Sequence, residues 1–178
     1  MKSKQKRCQV SVEMYWPFST TSKVCSPKCA LELAASKREK EFRKETKRLK
    51  EKIKTKSQWA KEAQAAFNRF IRLRDAHWPC ISCGRHHQGQ YHAGHYKSVG
   101  AHPELRFEEL NNHKQCAPCN NHLSGNIVNY RINLIEKIGI EKVEWLEGPH
   151  EMKDYDIDDL QIIKRCYARR AKELEKSC

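Results

Sequence analysis

Four cysteines stand in two CxxC pairs, Cys80-Ile81-Ser82-Cys83 and Cys116-Ala117-Pro118-Cys119. Four thiolates at this spacing close a tetrahedral zinc site and leave no coordination position open for chemistry. Such a metal pins the two ends of the chain between the pairs. The residues between and just after the pairs are then free for another task. They include Ala93-Gly94-His95-Tyr96, Asn111-Asn112-His113 and Asn120-Asn121-His122. An imidazole near its unperturbed pKa of about 6.5 serves as a general base. Asn and His side chains can ligate a divalent cation or orient that base.

That set of groups suits attack of water on a phosphodiester. The water must lose a proton, the leaving oxygen must have its growing charge neutralised, and the phosphate must be held in line. Plainer readings stand beside this one. His95 also reads as a packed histidine or a further zinc ligand, and Asn111 as a turn residue, because Asn-Asn is good turn chemistry. His86, His87, His102 and His113 read as polar surface or packing residues. Lys97, Arg106, Lys114 and Arg131 flank the segment and are the expected phosphate contacts.

Charge supports a polyanionic partner. The chain has 178 residues, with 35 Lys and Arg against 22 Asp and Glu, for a formal charge of +13. Residues 37–56 alone carry eleven Lys or Arg and four Glu. An excess of this size points to nucleic acid, although a solvated helix has the same composition. Mean hydropathy is −0.90, and no apolar run reaches the roughly 20 residues of a membrane span. The basic start, Met1 to Arg7, is followed by no apolar signal core, so the protein is expected to stay in the compartment where it is made. Nine cysteines, an odd count, suit reduced metal ligands better than a disulfide framework.

These residues need elements to position them. Residues 1–30 hold Cys8, Cys25 and Cys29 and read as a small knuckle. Three thiols are one ligand short of a structural zinc site, and Ser11 stands where a CxxC partner of Cys8 belongs. Either a fourth ligand comes from elsewhere or the site has decayed. Residues 31–56 read as a basic, mostly exposed helix rich in good helix formers. A core helix over 58–76, capped by Ser57, follows from Trp59, Ala63, Ala66, Phe67, Phe70 and Ile71 at three- and four-residue steps. The runs at 90–95 and 105–107 read as hairpin strands. Helices are expected over 127–138, ended by Gly139, over 140–146, broken at Gly148-Pro149, and over 157–176, capped by Asp156 or Asp158. The resulting organisation is an N-terminal knuckle (1–30), a charged helix (31–56), a core with its leading helix (57–139) and a helical C-terminal segment (140–178).

Residues 80–126 resemble the HNH (His-Me finger, ββα-metal) nucleases that carry a zinc-ribbon staple. The order is Pro79-Cys80-Ile81-Ser82-Cys83-Gly84, Ala93-Gly94-His95-Tyr96, Leu105-Arg106-Phe107, His113-Lys114-Gln115-Cys116, Cys119-Asn120, His122 and Ser124-Gly125-Asn126. It is similar to the NinG (Rap) recombination nucleases of lambdoid phages, whose layout the N-terminal Cys25-Ser26-Pro27, the Lys-rich helix and the helix at Trp59 also follow. The resemblance implies an α+β fold, with a zinc-stapled ββα core, flanking helices and a long basic N-terminal helix. It implies His95 as general base, Asn111 as the residue that holds the loop and orients the base, and Asn120 as a metal ligand. His122 is the rival for that last role. Many members place a metal ligand directly before the base. Here that position is Gly94, and His92 is the nearest substitute. Further implications are structural Zn²⁺, catalytic Mg²⁺ or Mn²⁺, branched DNA such as Holliday junctions and D-loops as substrate, a homodimer, phage or host recombination proteins as partners, and a phage-encoded protein in the bacterial cytoplasm. The alternatives are an inactive zinc-dependent DNA-binding module or an RNA-directed protein.

Overall fold

A computed structural model describes residues 4–177. The chain divides between Lys54 and Thr55 into two compact units. The sequence-based boundaries at 30/31 and 139/140 do not appear as breaks. The knuckle and the charged helix form one unit, and the C-terminal helices belong to the core of the other.

In the first unit, two-residue strands β1 (Lys6–Arg7) and β2 (Met14–Tyr15) pair antiparallel, Lys6 with Tyr15 and Arg7 with Met14. Helix α1 (Pro27–Lys52) follows. It starts where Ser26 accepts a hydrogen bond from the Cys29 N–H at 3.2 Å and Pro27 fills the first helical position. Cys29 is its one buried residue. Leu31, Phe42, Leu49 and Ile53 fall on one side of the chain here but stand eleven, seven and four residues apart, too sparse for a continuous apolar stripe, and all are exposed. Surface pairs such as Arg48–Glu45 at 2.7 Å add only tenths of a kcal/mol each, roughly 0.3–0.5.

The second unit begins with α2 (Lys56–Arg74). Its cap is Thr55 rather than Ser57. Thr55 and Gln58 exchange side-chain-to-backbone bonds in a capping box, which the Thr-x-x-Gln spacing permits and Ser57 does not. Trp59, Ala63, Phe67, Phe70 and Ile71 face inward. The last helix, α5 (Ile157–Ser177), lies on α2, with Leu160 and Ala171 buried. Asp156 and Asp159 cap its start reciprocally. Phe67 meets Phe107 and Tyr167 edge-on, with centroids 5.7 and 4.7 Å apart.

Between this helix pair and the remaining helices runs a single hairpin. Strand β3 (Tyr91–His95) pairs antiparallel with β4 (Asn112–Cys116). Ala93 joins the α2–α5 cluster. The Gly94 carbonyl accepts from the Tyr130 hydroxyl at 3.0 Å, so the hairpin is held by α3 as well. Helix α3 (Ile127–Ile138) and helix α4 (Ile140–Glu147) close a second cluster of Ile81, Tyr96, Leu105, Tyr130, Leu134, Val143 and Leu146. The expected strand at 105–107 is absent. Pro103 opens a tight helical turn, Pro103–Leu105, and the partner strand lies further on. The fold is thus α+β, with small sheets among helices. No helix of the described residues is long and apolar enough to cross a membrane.

Candidate active site and metal centres

The first metal centre arises from two turns. Cys80 and Cys83 follow α2 on a knuckle whose Gly84, at φ 66°, donates its N–H to the Cys80 carbonyl at 2.8 Å. That left-handed conformation favours glycine. Cys116 ends β4, and Cys119 sits in a wide helical turn, Pro118–His122. The four sulfurs lie within 4.8 Å of one another. Zinc–sulfur bonds of about 2.3 Å require tetrahedral edges of roughly 3.8 Å, so these thiols fit the ion. Surrounding groups support the sulfurs. The Cys116 N–H donates to Cys80 Sγ at 3.3 Å, and Cys83 Sγ lies 3.1 Å from His87 Nε2. A second group, Cys8, Cys25 and Cys29, meets the same distance criterion. The cysteine clusters of this protein can therefore hold a structural metal such as zinc.

His95 stands at the end of β3, half-buried. Its Nε2 lies 3.1 Å from the Arg106 carbonyl. A carbonyl only accepts, so Nε2 carries the proton and Nδ1 keeps its lone pair. Burial pushes the imidazole below its ordinary pKa. The Arg106 carbonyl opposes this shift and the Arg106 charge adds to it. At neutral pH the ring is therefore in its basic form.

Asn111 builds the loop that delivers this carbonyl. It is fully buried. Its Oδ1 accepts from the Lys97 N–H at 2.7 Å, and its Nδ2 donates to the carbonyls of Lys97 at 3.0 Å and Leu105 at 3.2 Å. Its own carbonyl accepts from the Tyr96 N–H at 2.8 Å. Leu105 adjoins Arg106, so one side chain fixes both ends of the loop and the peptide beside the His95 contact. Gln64 on α2 accepts from Arg106 Nε at 2.8 Å and steadies the same residue.

A cleft of about 490 Å³ is lined by His95, Lys97, Ser98, His102, Asn120 and Ser124, among others. It brings together three residues expected from the sequence: His95, Asn120 and Lys97. His122 is exposed and is not among the residues lining it. His92 is no substitute for a ligand beside His95. It pairs with Gln115, whereas His95 pairs with Asn112, and their separation of three residues puts them on opposite faces of the hairpin. Position 94 offers no room for a ligand either. A Cβ there would lie 2.0 Å from Gln115 Oε1. Gln115 is held by bonds from its Nε2 to Ser82 Oγ and to the Gly125 carbonyl, each 2.6 Å.

Three expected phosphate contacts are otherwise engaged. Lys114 is buried, with its Nζ 2.7 Å from the Ala76 carbonyl and 4.6 Å from the Tyr91 ring centroid. Arg131 is half-buried and forms a two-pronged pair with Glu147 at 2.8 and 3.0 Å. The guanidinium of Arg106 is turned to Gln64, so its contribution to the site is its carbonyl.

Sequence reasoning missed Asp75 and His102. Asp75 caps α2 inside the core and touches Arg74 at 2.9 Å, Lys137 at 3.1 Å, the Lys114 N–H at 3.1 Å and His113 at 3.4 Å. Burial would raise its pKa, but the His113 hydrogen bond and the Arg74 contact hold the carboxyl far below its ordinary value. This network explains why His113 and Lys114 are interior. His102 joins the cleft from the loop, its Nδ1 3.0 Å from Glu104 Oε1. Its place in the loop between His95 and Asn111 was the only signal in the sequence.

A family profile described as "Bacteriophage Lambda NinG protein" matches residues 1–177. Curated relatives include protein ninG of Salmonella phage P22, 39% identical over 99% of this chain and 97% of its own length. Protein ninG of Escherichia phage lambda is 40% identical over 93% of this chain and 90% of its length. Protein ninG of Escherichia phage 933W is 38% identical over 99% and 96%. No solved structure matches the chain.

Proposed function

The chain belongs to the NinG family of lambdoid-phage proteins, and from that premise we propose that it is a metal-dependent DNA endonuclease of the HNH type, cutting branched recombination intermediates. The observation that carries this reading is the His95 arrangement. A half-buried imidazole lines an open cleft, with Nε2 tied to a backbone carbonyl and Nδ1 left basic. In this reading Nδ1 takes the proton of the attacking water. Asn111 positions the loop whose Arg106 carbonyl fixes the tautomer, and Lys97 offers positive charge to a phosphate in the same cleft.

The cleft suits a Mg²⁺ or Mn²⁺ ion held mainly by substrate and water. Mg²⁺ usually takes one or two carboxylates and keeps several waters; the residues lining this cleft offer no carboxylate, and Asn120 would supply one carboxamide oxygen beside substrate phosphate and water. When bound, such an ion neutralises charge on the leaving oxygen. The thiol clusters are a separate matter, with structural roles.

The substrate preference rests on the family resemblance and on the charge. A formal +13 favours a polyanion, met through phosphate contacts that carry little sequence information, and the family resemblance narrows it to DNA. Symmetric cutting of a junction would use a homodimer. The test is cleavage of a labelled four-way junction and a matched linear duplex, with magnesium or manganese, by wild type and His95→Ala. Junction-selective cutting, lost in a variant that still binds, is the expected result. One observation favours a second reading, a DNA-binding module without catalysis. Gly94 and the opposed His92 leave Asn120 as the one expected metal ligand in the cleft. Binding without cutting by wild type in either metal would establish that reading instead.

A further inference from the structure

Two turns in different units share one backbone pattern. The Cys80 N–H donates to the Arg85 carbonyl at 3.0 Å, and the Gly84 N–H returns to the Cys80 carbonyl at 2.8 Å. The Cys8 N–H donates to the Glu13 carbonyl at 2.8 Å, and the Val12 N–H returns to the Cys8 carbonyl at 3.2 Å. The offsets are identical. The residue at the fifth position is left-handed in both, Gly84 at φ 66° and Val12 at φ 65°. A β-branched residue rarely adopts that conformation and keeps it only where its surroundings over-determine it. The first turn therefore has the shape of a metal knuckle without the glycine that makes the shape easy.

The sulfurs complete the parallel. Cys8 Sγ accepts from the Val10 and Ser11 N–H groups, each at 3.4 Å, as expected of a thiolate held for a metal. Cys25 Sγ lies 3.7 Å from Cys29 Sγ, close to the roughly 3.8 Å edge of a zinc–thiolate tetrahedron and far from a disulfide bond. Position 11 corresponds to Cys83, and its Oγ lies 3.5 Å from Cys25 Sγ. A weaker oxygen ligand thus faces the corner that a fourth thiolate fills in the other site. Cys25 is exposed, whereas none of Cys80, Cys83, Cys116 and Cys119 is.

We infer that Cys8, Cys25 and Cys29 bind a second zinc ion, with Ser11 at its fourth corner, and that this ion exchanges faster than the one held by four thiolates. The inference stands apart from the cleavage reading. It is tested on the full chain purified with zinc, by counting metal per chain and timing its transfer to a chelating dye. Two zinc ions leaving in two phases are expected. Cys25→Ser should abolish the fast phase alone, and Ser11→Cys should slow it at least tenfold. One zinc per chain in wild type, a fast phase that survives Cys25→Ser, or one that Ser11→Cys leaves unchanged would overturn it. Cobalt(II) loading of wild type gives a readout that needs no variant. Thiolate-to-cobalt absorption of seven bonds per chain supports the second site, and absorption of four refutes it.

Discussion

Helices α1 and α2 are neighbours in sequence and share a composition rich in Lys, Arg and Ala. Yet α1 buries one residue of 26 and α2 buries five of 19. Helix propensity forms both, but only a repeated apolar stripe recruits a partner. In α2 the steps 59, 63, 67, 70, 71 keep one face inward, and α5 covers it. In α1 the large exposed apolar residues share one side but are too sparse to form such a stripe, and they remain in solvent with the charge. The difference separates two tasks. The second unit supplies a rigid frame for His95, and the first supplies charge on a unit anchored by its own thiol cluster.

The largest expected effect tests whether the metal or the apolar clusters hold that frame. Structural zinc contributes about 10–16 kcal/mol in small metal domains, so Cys116→Ser should remove the cooperative melt of the second unit together with cleavage. Circular dichroism melts with zinc quantification check this. A zinc-depleted variant that melts cooperatively and cuts normally would sink the staple. Cys25→Ser, in the other unit, should leave that melt in place.

The second prediction separates chemistry from affinity. His95→Ala should cost about 10²–10⁴ in cleavage rate with junction binding retained. Replacing Lys37, Arg38, Lys47 and Lys50 on α1 with Gln should do the reverse. It should weaken binding and reduce the slope of log affinity against log salt by up to about 1 per phosphate contact removed. Titrations at several salt concentrations decide it. An unchanged slope would deny α1 any part in the interface.

Much of this division was legible in the sequence. The periodicity of α2 and α3, the Gly139 stop and the paired CxxC spacing each reflect a local rule, and each appears where expected. Strand β4 escaped notice because all five residues, Asn112 to Cys116, are buried and four of them are polar. A buried polar strand shows neither alternation nor strong β-propensity. The Lys114 and Gln115 groups are held by Asp75, Ala76, Ser82 and Gly125, which lie far away in sequence, while Asn112 Oδ1 and Gln115 Oε1 are buried without a hydrogen-bond partner among the described residues. Lys114 looked like a phosphate contact for the same reason. Its charge is visible in sequence, whereas the carbonyl and ring that hold it inside depend on the tertiary fold. Thr55 escaped because Ser57 is an equally good cap by type, and only the reciprocal bond with Gln58 selects between them.

The third prediction measures the two helices directly. Phe67 is fully buried and Phe42 is exposed. Phe67→Ala should cost about 3–5 kcal/mol, and Phe42→Ala should fall within about 0.5 kcal/mol of wild type. Urea melts give both values. A comparable loss from Phe42→Ala would mean that α1 has a packed face after all, and the contrast between the helices would fail.

The smallest effect is the pH dependence contributed by histidines, and it belongs to one unit only. All nine histidines lie at position 77 or beyond. Burial lowers the pKa of His95 and of His113, the latter partly offset by its hydrogen bond with Asp75. For a group whose folded pKa is depressed, the unfolded chain binds more protons just below the ordinary value. Stability then rises with pH. The contribution of these two rings is complete above about pH 6.5 and is lost as pH falls through that value toward the folded pKa. Asp75 acts in a separate window, below its ordinary value of 3.8, so it leaves the upper window to the histidines. The urea midpoint should fall between about pH 7.5 and about pH 5.5 with zinc kept saturating. His113→Asn should lower the midpoint throughout and flatten that fall, because the level reports lost contacts while the slope reports the titrating ring. A slope equal to wild type in His113→Asn would remove His113 from the pH response and leave His95 as the histidine that contributes to it.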